Sequence, residues 1–103
     1  MSVLLEFSMF PTEGSEGKSA SVAKIVGMIA QSGYPYKLTP MSTVVETPTL
    51  PEALSIIEAA YELLEEYNRV YGCFKVDIRK NRTEGMVQKI ASVEEKLGYK
   101  VVV

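Results

Sequence analysis

The chain has 103 residues, 47% apolar and 23% charged, with a formal net charge of −2. That is long enough for one small core, too apolar for a disordered chain and too near neutrality for a strongly basic nucleic-acid binder. There is no His and one cysteine, Cys73, which excludes, within one chain, Ser-His-Asp and Cys-His catalysis, His-ligated metal, a Cys-rich zinc site and a disulfide framework. Oxygen-ligated Mg or Ca stays open, as does carboxylate or lysine chemistry.

The first residues, MSVLLEFSMFP, lack a basic region, and their apolar run is shorter than a signal peptide needs. No stretch approaches the roughly 20 apolar residues of a membrane span. The expectation is a soluble cytoplasmic protein, in contact with neither membrane nor nucleic acid, with Cys73 as a free thiol.

In chain order, Val3 to Phe10 alternates as a strand. Val3, Leu5, Phe7 and Met9 lie on one side, with Leu4, Glu6, Ser8 and Phe10 on the other; Pro11 ends it. PTEGSEGK reads as a loop. Val22, Ile25, Val26 and Ile29 then recur at helical spacing, with Ser19 or Ser21 as N-cap and Gly33 as stop. Tyr36–Thr39 and Thr43–Thr47 form a hairpin about Pro40 and Met41. Thr49, Pro51 and Glu52 open a second helix with a capping box; it runs to about Val70, buries Leu54, Ile57, Tyr61 and Leu64, and stops at Gly72. Cys73 to Arg79 alternates as a half-buried strand, with Phe74, Val76 and Ile78 on one face and Cys73, Lys75, Asp77 and Arg79 on the other. After the KNRTEG turn, residues 84–97 form a third helix with Met86, Ile90, Val93 and Leu97 on one side. Tyr99 to Val103 is a short apolar strand.

The first six elements, β-α-β-β-α-β, specify an α+β ferredoxin-like antiparallel sheet with both core helices on one face, here as one domain over residues 1–103. The other face, with Leu4, Phe10 and Cys73 beside Glu6 and Lys75, is too apolar to stand wholly in water. The C-terminal helix, a second subunit or both must cover it.

That face also carries the chemistry. Glu6, Ser8, Lys75 and Asp77 share one side of two adjacent strands, with Glu46 or Thr43 on the third strand beside them. Carboxylates among aromatic and thioether groups suit a planar, nitrogen-rich ligand, whose ring nitrogen and amine they can pair. The simpler reading is that Glu6 and Lys75 are a cross-strand ion pair at a subunit interface. GSEGKSAS could offer an anion a helix start but lacks phosphate-loop spacing. Arg69, Arg79, Lys80 and Arg82 read as a solvated rim or a phosphate contact. Glu58, Glu62, Glu65 and Glu66 read as a water-facing helix side.

Several strings occur together in the order seen in one family. They are Y-x-L-T-P-M-x-T-x-x-E (Tyr36 to Glu46), Arg69-Val70, K-V-D-I-R (Lys75 to Arg79) and K-I-A-S-V-E-E-K (Lys89 to Lys96). In these the chain resembles the thiamine-binding, YkoF-like family of small proteins, although its helix start S-A-S-V is one residue shorter. The resemblance implies a ferredoxin-like fold, homodimers or homotetramers, and binding of thiamine or its hydroxymethylpyrimidine moiety; it implies neither an established catalytic activity nor a cofactor. The matching positions are Pro40, Met41, Thr43, Glu46, Lys75, Asp77 and Arg79. The expected ligand-binding residues are Phe10, Met41, Thr43, Glu46, Lys75 and Asp77, with Glu46 or Asp77 reading the aminopyrimidine and Met41 or Phe10 in apolar contact. A carboxylate-based enzyme acting on a small heterocycle and a purely structural oligomer are the alternatives.

Overall fold

The computed structural model describes residues 1–14 and 18–103. Its elements are β1 (Ser2–Pro11), α1 (Lys18–Ser32), β2 (Tyr36–Leu38), β3 (Thr43–Thr47), α2 (Leu50–Glu62), β4 (Val70–Arg79) and α3 (Gly85–Leu97). The strands form one antiparallel sheet in the order β2-β3-β1-β4, the ferredoxin-like arrangement expected from the element order.

The alternation of β1 decides where the core lies. Val3, Leu5, Phe7 and Met9 are buried under α1 and α2, together with Ile25, Ile29, Val45, Ala53, Ile56, Ala60 and Leu64. Burying that apolar surface is the main driving force of the fold. The start of α2 is as its sequence specifies: the Thr49 hydroxyl accepts from the Glu52 N–H and donates to the Glu52 carboxylate at 2.9 Å. Gly33, at φ +85°, supplies the left-handed residue that stops α1.

Five expectations are corrected. Ser19 and Ser21 lie inside α1, which has already begun at Lys18, and part of the loop preceding it falls outside the described residues. The buried stripe of α2 is Ala53, Ile56 and Ala60, with Leu64 buried just beyond the helix, leaving Leu54 and Tyr61 exposed, because the small alanines let the helix sit close on the sheet. That helix ends at Glu62, and β4 starts at Val70, where Tyr71 and Gly72 pair with Phe10 and Met9 in the long ladder to β1. The strand β4 is exposed on both faces, since α1 and α2 pack over β1, β2 and β3. Finally, Tyr99–Val103 is not a strand; the Val101 N–H donates to the Glu94 carboxylate.

The outer face, opposite α1 and α2, is covered at one end by α3. Gly85, Met86 and Ile90 turn toward the sheet, whereas Val93 and Leu97 run past it into solvent. This overhang contributes to an elongated envelope of 47 × 28 × 21 Å.

Candidate functional site

The six expected ligand residues fall into three places. Phe10, Met41 and Thr43 border a pocket at the end of β1; Lys75 and Asp77 line a groove under α3; Glu46 lines neither.

Glu46 and Asp77 belong to one polar network, buried at Ser2, Glu46 and Arg82 and exposed at Asp77. Glu84, which precedes α3, is left-handed (φ 52°) and provides no side-chain cap. The unpaired amides of the first turn are instead met by Glu46, 39 residues away: its carboxylate accepts from the Gly85 N–H at 2.7 Å and the Met86 N–H at 3.1 Å, and from the Ser2 hydroxyl. Arg82, only 8% exposed, donates to the Ser2 hydroxyl and carbonyl and to the Asp77 carboxylate and carbonyl. Arg82 is therefore not the solvated rim or phosphate contact its composition suggests. A Cβ on Gly85 would lie 2.7 Å from Arg82 Nε, so the guanidinium packs where only glycine leaves room. Burial pushes the Glu46 carboxyl up, but the bonds from Ser2, Gly85 and Met86 and the charge of Arg82 hold it below its ordinary value. Asp77 is likewise held down by Arg82. Both carboxylates are committed to the fold.

The groove under α3, about 430 Å³, is lined by Leu4, Val44, Met86 and Ile90 with Glu6, Lys37, Lys75, Asp77 and Lys89 at its margins. Lys75 and Glu6 form the expected cross-strand pair at 3.1 Å, and Lys75, by its hydrogen bond, draws the Glu6 carboxyl below its ordinary value. Thr43 does not join them. It pairs with Phe7, and both face the helices, whereas Glu46 pairs with Leu4 on the outer face.

The pocket at the end of β1 is about 280 Å³, near the lower end of small-ligand sites. Its walls are Phe7, Met9, Phe10, Val22 and Ile25 on one side and the hairpin segment Leu38–Thr43 on the other. The hairpin tip is held by Thr39, whose hydroxyl accepts from the Met41 and Ser42 N–H groups and donates to the Ser42 carbonyl. That leaves the Met41 side chain 86% exposed at the rim. The Phe10 ring lies 5.7 Å from Tyr71 and carries Lys18 Nζ 4.1 Å above it.

Strand register adds a polar feature that residue types do not reveal. The Glu46 N–H is donated to the Pro35 carbonyl, away from β1. Alternation in antiparallel ladders then turns the peptide groups of Leu4, opposite Glu46, toward β4, and those of the odd-numbered residues of β1 toward β3. The ladder to β3 ends at the Phe7–Thr43 pair. The next odd residue, Met9, directs its N–H and C=O into the pocket beyond the last β3 pair. Among the described residues, no three acidic or thiol groups converge as a metal site.

Comparison with known proteins agrees with this architecture. Residues 5–94 match the family model described as thiamine-binding protein. The chain belongs to that family. A UPF0045 protein of Mycobacterium tuberculosis is 36% identical over 98 residues, covering 94% of this chain and 96% of the relative. One from Methanothermobacter thermautotrophicus is 31% identical over 85 residues, covering 81% and 86%. Among solved structures, a hypothetical protein of Methanocaldococcus jannascii superposes with TM-score 0.78 at 25% identity, covering 91% of this chain and 97% of that one. A Thermotoga maritima protein, described as a candidate thiamine biosynthesis/salvage protein, has TM-score 0.70 at 16% identity, covering 95% and 97%.

Proposed function

We propose that this member of the thiamine-binding family binds thiamine or its hydroxymethylpyrimidine moiety, without converting it, in the pocket at the end of β1. The observation that carries this reading is the Met9 peptide, facing a pocket of aromatic, thioether and hydroxyl groups. An aminopyrimidine presents a ring nitrogen that accepts and an adjacent amine that donates. The Met9 N–H and C=O offer the complementary pair, as a missing strand would. Phe10 and Met41 supply faces for the ring, and Thr43 belongs to the same walls. Glu46 and Asp77, expected from residue type to read the ligand, are replaced in that role by main chain.

The carboxylate-enzyme alternative is disfavoured by the same electrostatics. A general base working near neutrality needs a raised pKa, whereas Glu6, Glu46 and Asp77 are all held low. We place the protein in the cytoplasm, as a homo-oligomer assembled through the uncovered β4. Calorimetric titration with hydroxymethylpyrimidine and with its analogue carrying hydrogen in place of the amine tests the ligand reading. Binding of the first, and at least tenfold weaker binding of the second, are expected; equal affinity would exclude recognition by the Met9 peptide, and no heat from thiamine or the pyrimidine at millimolar concentration would exclude the function.

A further inference from the structure

The polarity of the Met9 peptide fixes how a pyrimidine lies against it. In an extended strand the N–H and C=O of one residue point to the same side, the N–H nearer the preceding residue and the C=O nearer the following one. A ring nitrogen that accepts from the Met9 N–H therefore sits toward Ser8. The neighbouring amine, donating to the Met9 C=O, sits toward Phe10. In hydroxymethylpyrimidine the amine-bearing carbon stands between that ring nitrogen and the carbon that carries the hydroxymethyl group. The methylene thus leaves the ring beyond the amine, in the direction of Phe10 and Pro11.

That direction is where the pocket carries its charge. Among the described residues lining it, Lys18 alone is charged, and its ammonium stands 4.1 Å above the Phe10 ring. Phe10 and Lys18 also line a second recess, of about 310 Å³, together with Pro11, Thr12, Glu13 and Gly14. Its one described carboxylate, Glu13, is engaged elsewhere: its oxygens accept from the Arg69 N–H at 2.9 Å and from the Asn68 side-chain amide at 3.3 Å. A substituent on the methylene passes from the first recess to the second beside Lys18.

Three ligands that share the pyrimidine differ in that substituent. The free alcohol is neutral there, a phosphate ester carries a charge of about −1.5 to −2 at neutral pH, and thiamine carries a thiazolium cation. An ammonium attracts the second and repels the third. The Phe10 face that could take a thiazolium by cation–π contact already holds the ammonium of Lys18.

We infer that the pocket selects the phosphate monoester of hydroxymethylpyrimidine over both the free alcohol and thiamine, and that Lys18 determines this specificity. The inference rests on the Met9 reading above and names the form of the ligand.

Calorimetric titration with the three compounds at low salt tests it. The ester should bind at least tenfold tighter than the alcohol and at least tenfold tighter than thiamine, and added salt should shrink both ratios. In Lys18→Met the ratio of ester to alcohol should fall to within about threefold of one. Lys18→Glu should invert the preference, so that thiamine binds tighter than the ester. Lys18 is exposed, and circular dichroism checks that both variants fold. An ester that binds no tighter than the alcohol or thiamine, or an advantage that survives undiminished in either variant, would overturn selection by Lys18 and leave the pyrimidine site standing. Heat from none of the three compounds would overturn both.

Discussion

The two ends of β1 use polar groups in opposite ways. At its start, Ser2, Glu46, Asp77 and Arg82 satisfy one another and the first turn of α3. At its end, pairing with β3 stops at Phe7, four residues before β1 does, and leaves the Met9 peptide facing an apolar pocket. A carboxylate with its lone pairs filled by protein donors holds structure; a peptide edge beyond its ladder is free to hold something else. The contrast teaches that residue type alone does not tell a polar group bound into the fold from one left free.

Breaking the network should have the largest effect. Glu46→Ala leaves the Gly85 and Met86 amides and the Ser2 hydroxyl without their acceptor in a buried setting, and removes the carboxylate charge near Arg82. We expect a loss of about 2–4 kcal/mol in denaturant unfolding, with faster hydrogen exchange in the first turn of α3. Acid should act on the same group. Because the Glu46 carboxyl is held below its ordinary 4.5 in the folded state, its contribution is fully present above that value and is lost as pH falls through the folded one. Thermal unfolding between pH 7 and 3 should show this loss, and Glu46→Gln should flatten that part of the profile.

At the other end, Met41→Asp places a charge at an exposed turn and should leave unfolding unchanged while weakening pyrimidine binding at least tenfold, or about 1.4 kcal/mol. The smallest effect belongs to the exposed Lys75–Glu6 pair. At concentrations where the protein is monomeric, Lys75→Met should change stability by less than about 1 kcal/mol, read by urea unfolding.

Much of the fold was legible in the sequence. Alternation in β1, the Thr49–Glu52 cap and the Pro40 turn each act locally, so the order of elements and the core face of β1 follow from short spacings. The phase of α2 was misread because Leu54 and Tyr61 look more apolar than the alanines that let the helix approach the sheet. Of the proposed site, Phe10, Met41 and Thr43 follow from residue chemistry and motif, and the fold brings them to one pocket. Glu46 and Asp77 were chosen as ligand contacts because nothing local reveals that Gly85, 39 residues away, needs a cap, or that Arg82 turns inward. The Met9 peptide has no side-chain signature. Its signal is arithmetic: β1 runs to Pro11 while its partner begins at Thr43, which follows once the register is known.

The central claim is that the ligand is read at the Met9 end and not by the carboxylates. Titrating hydroxymethylpyrimidine into Met41→Asp and Asp77→Asn, side by side with the unaltered protein, tests it most directly. The account predicts at least a tenfold loss for Met41→Asp and unchanged affinity for Asp77→Asn; the reverse pattern would contradict it and move the ligand to the groove under α3.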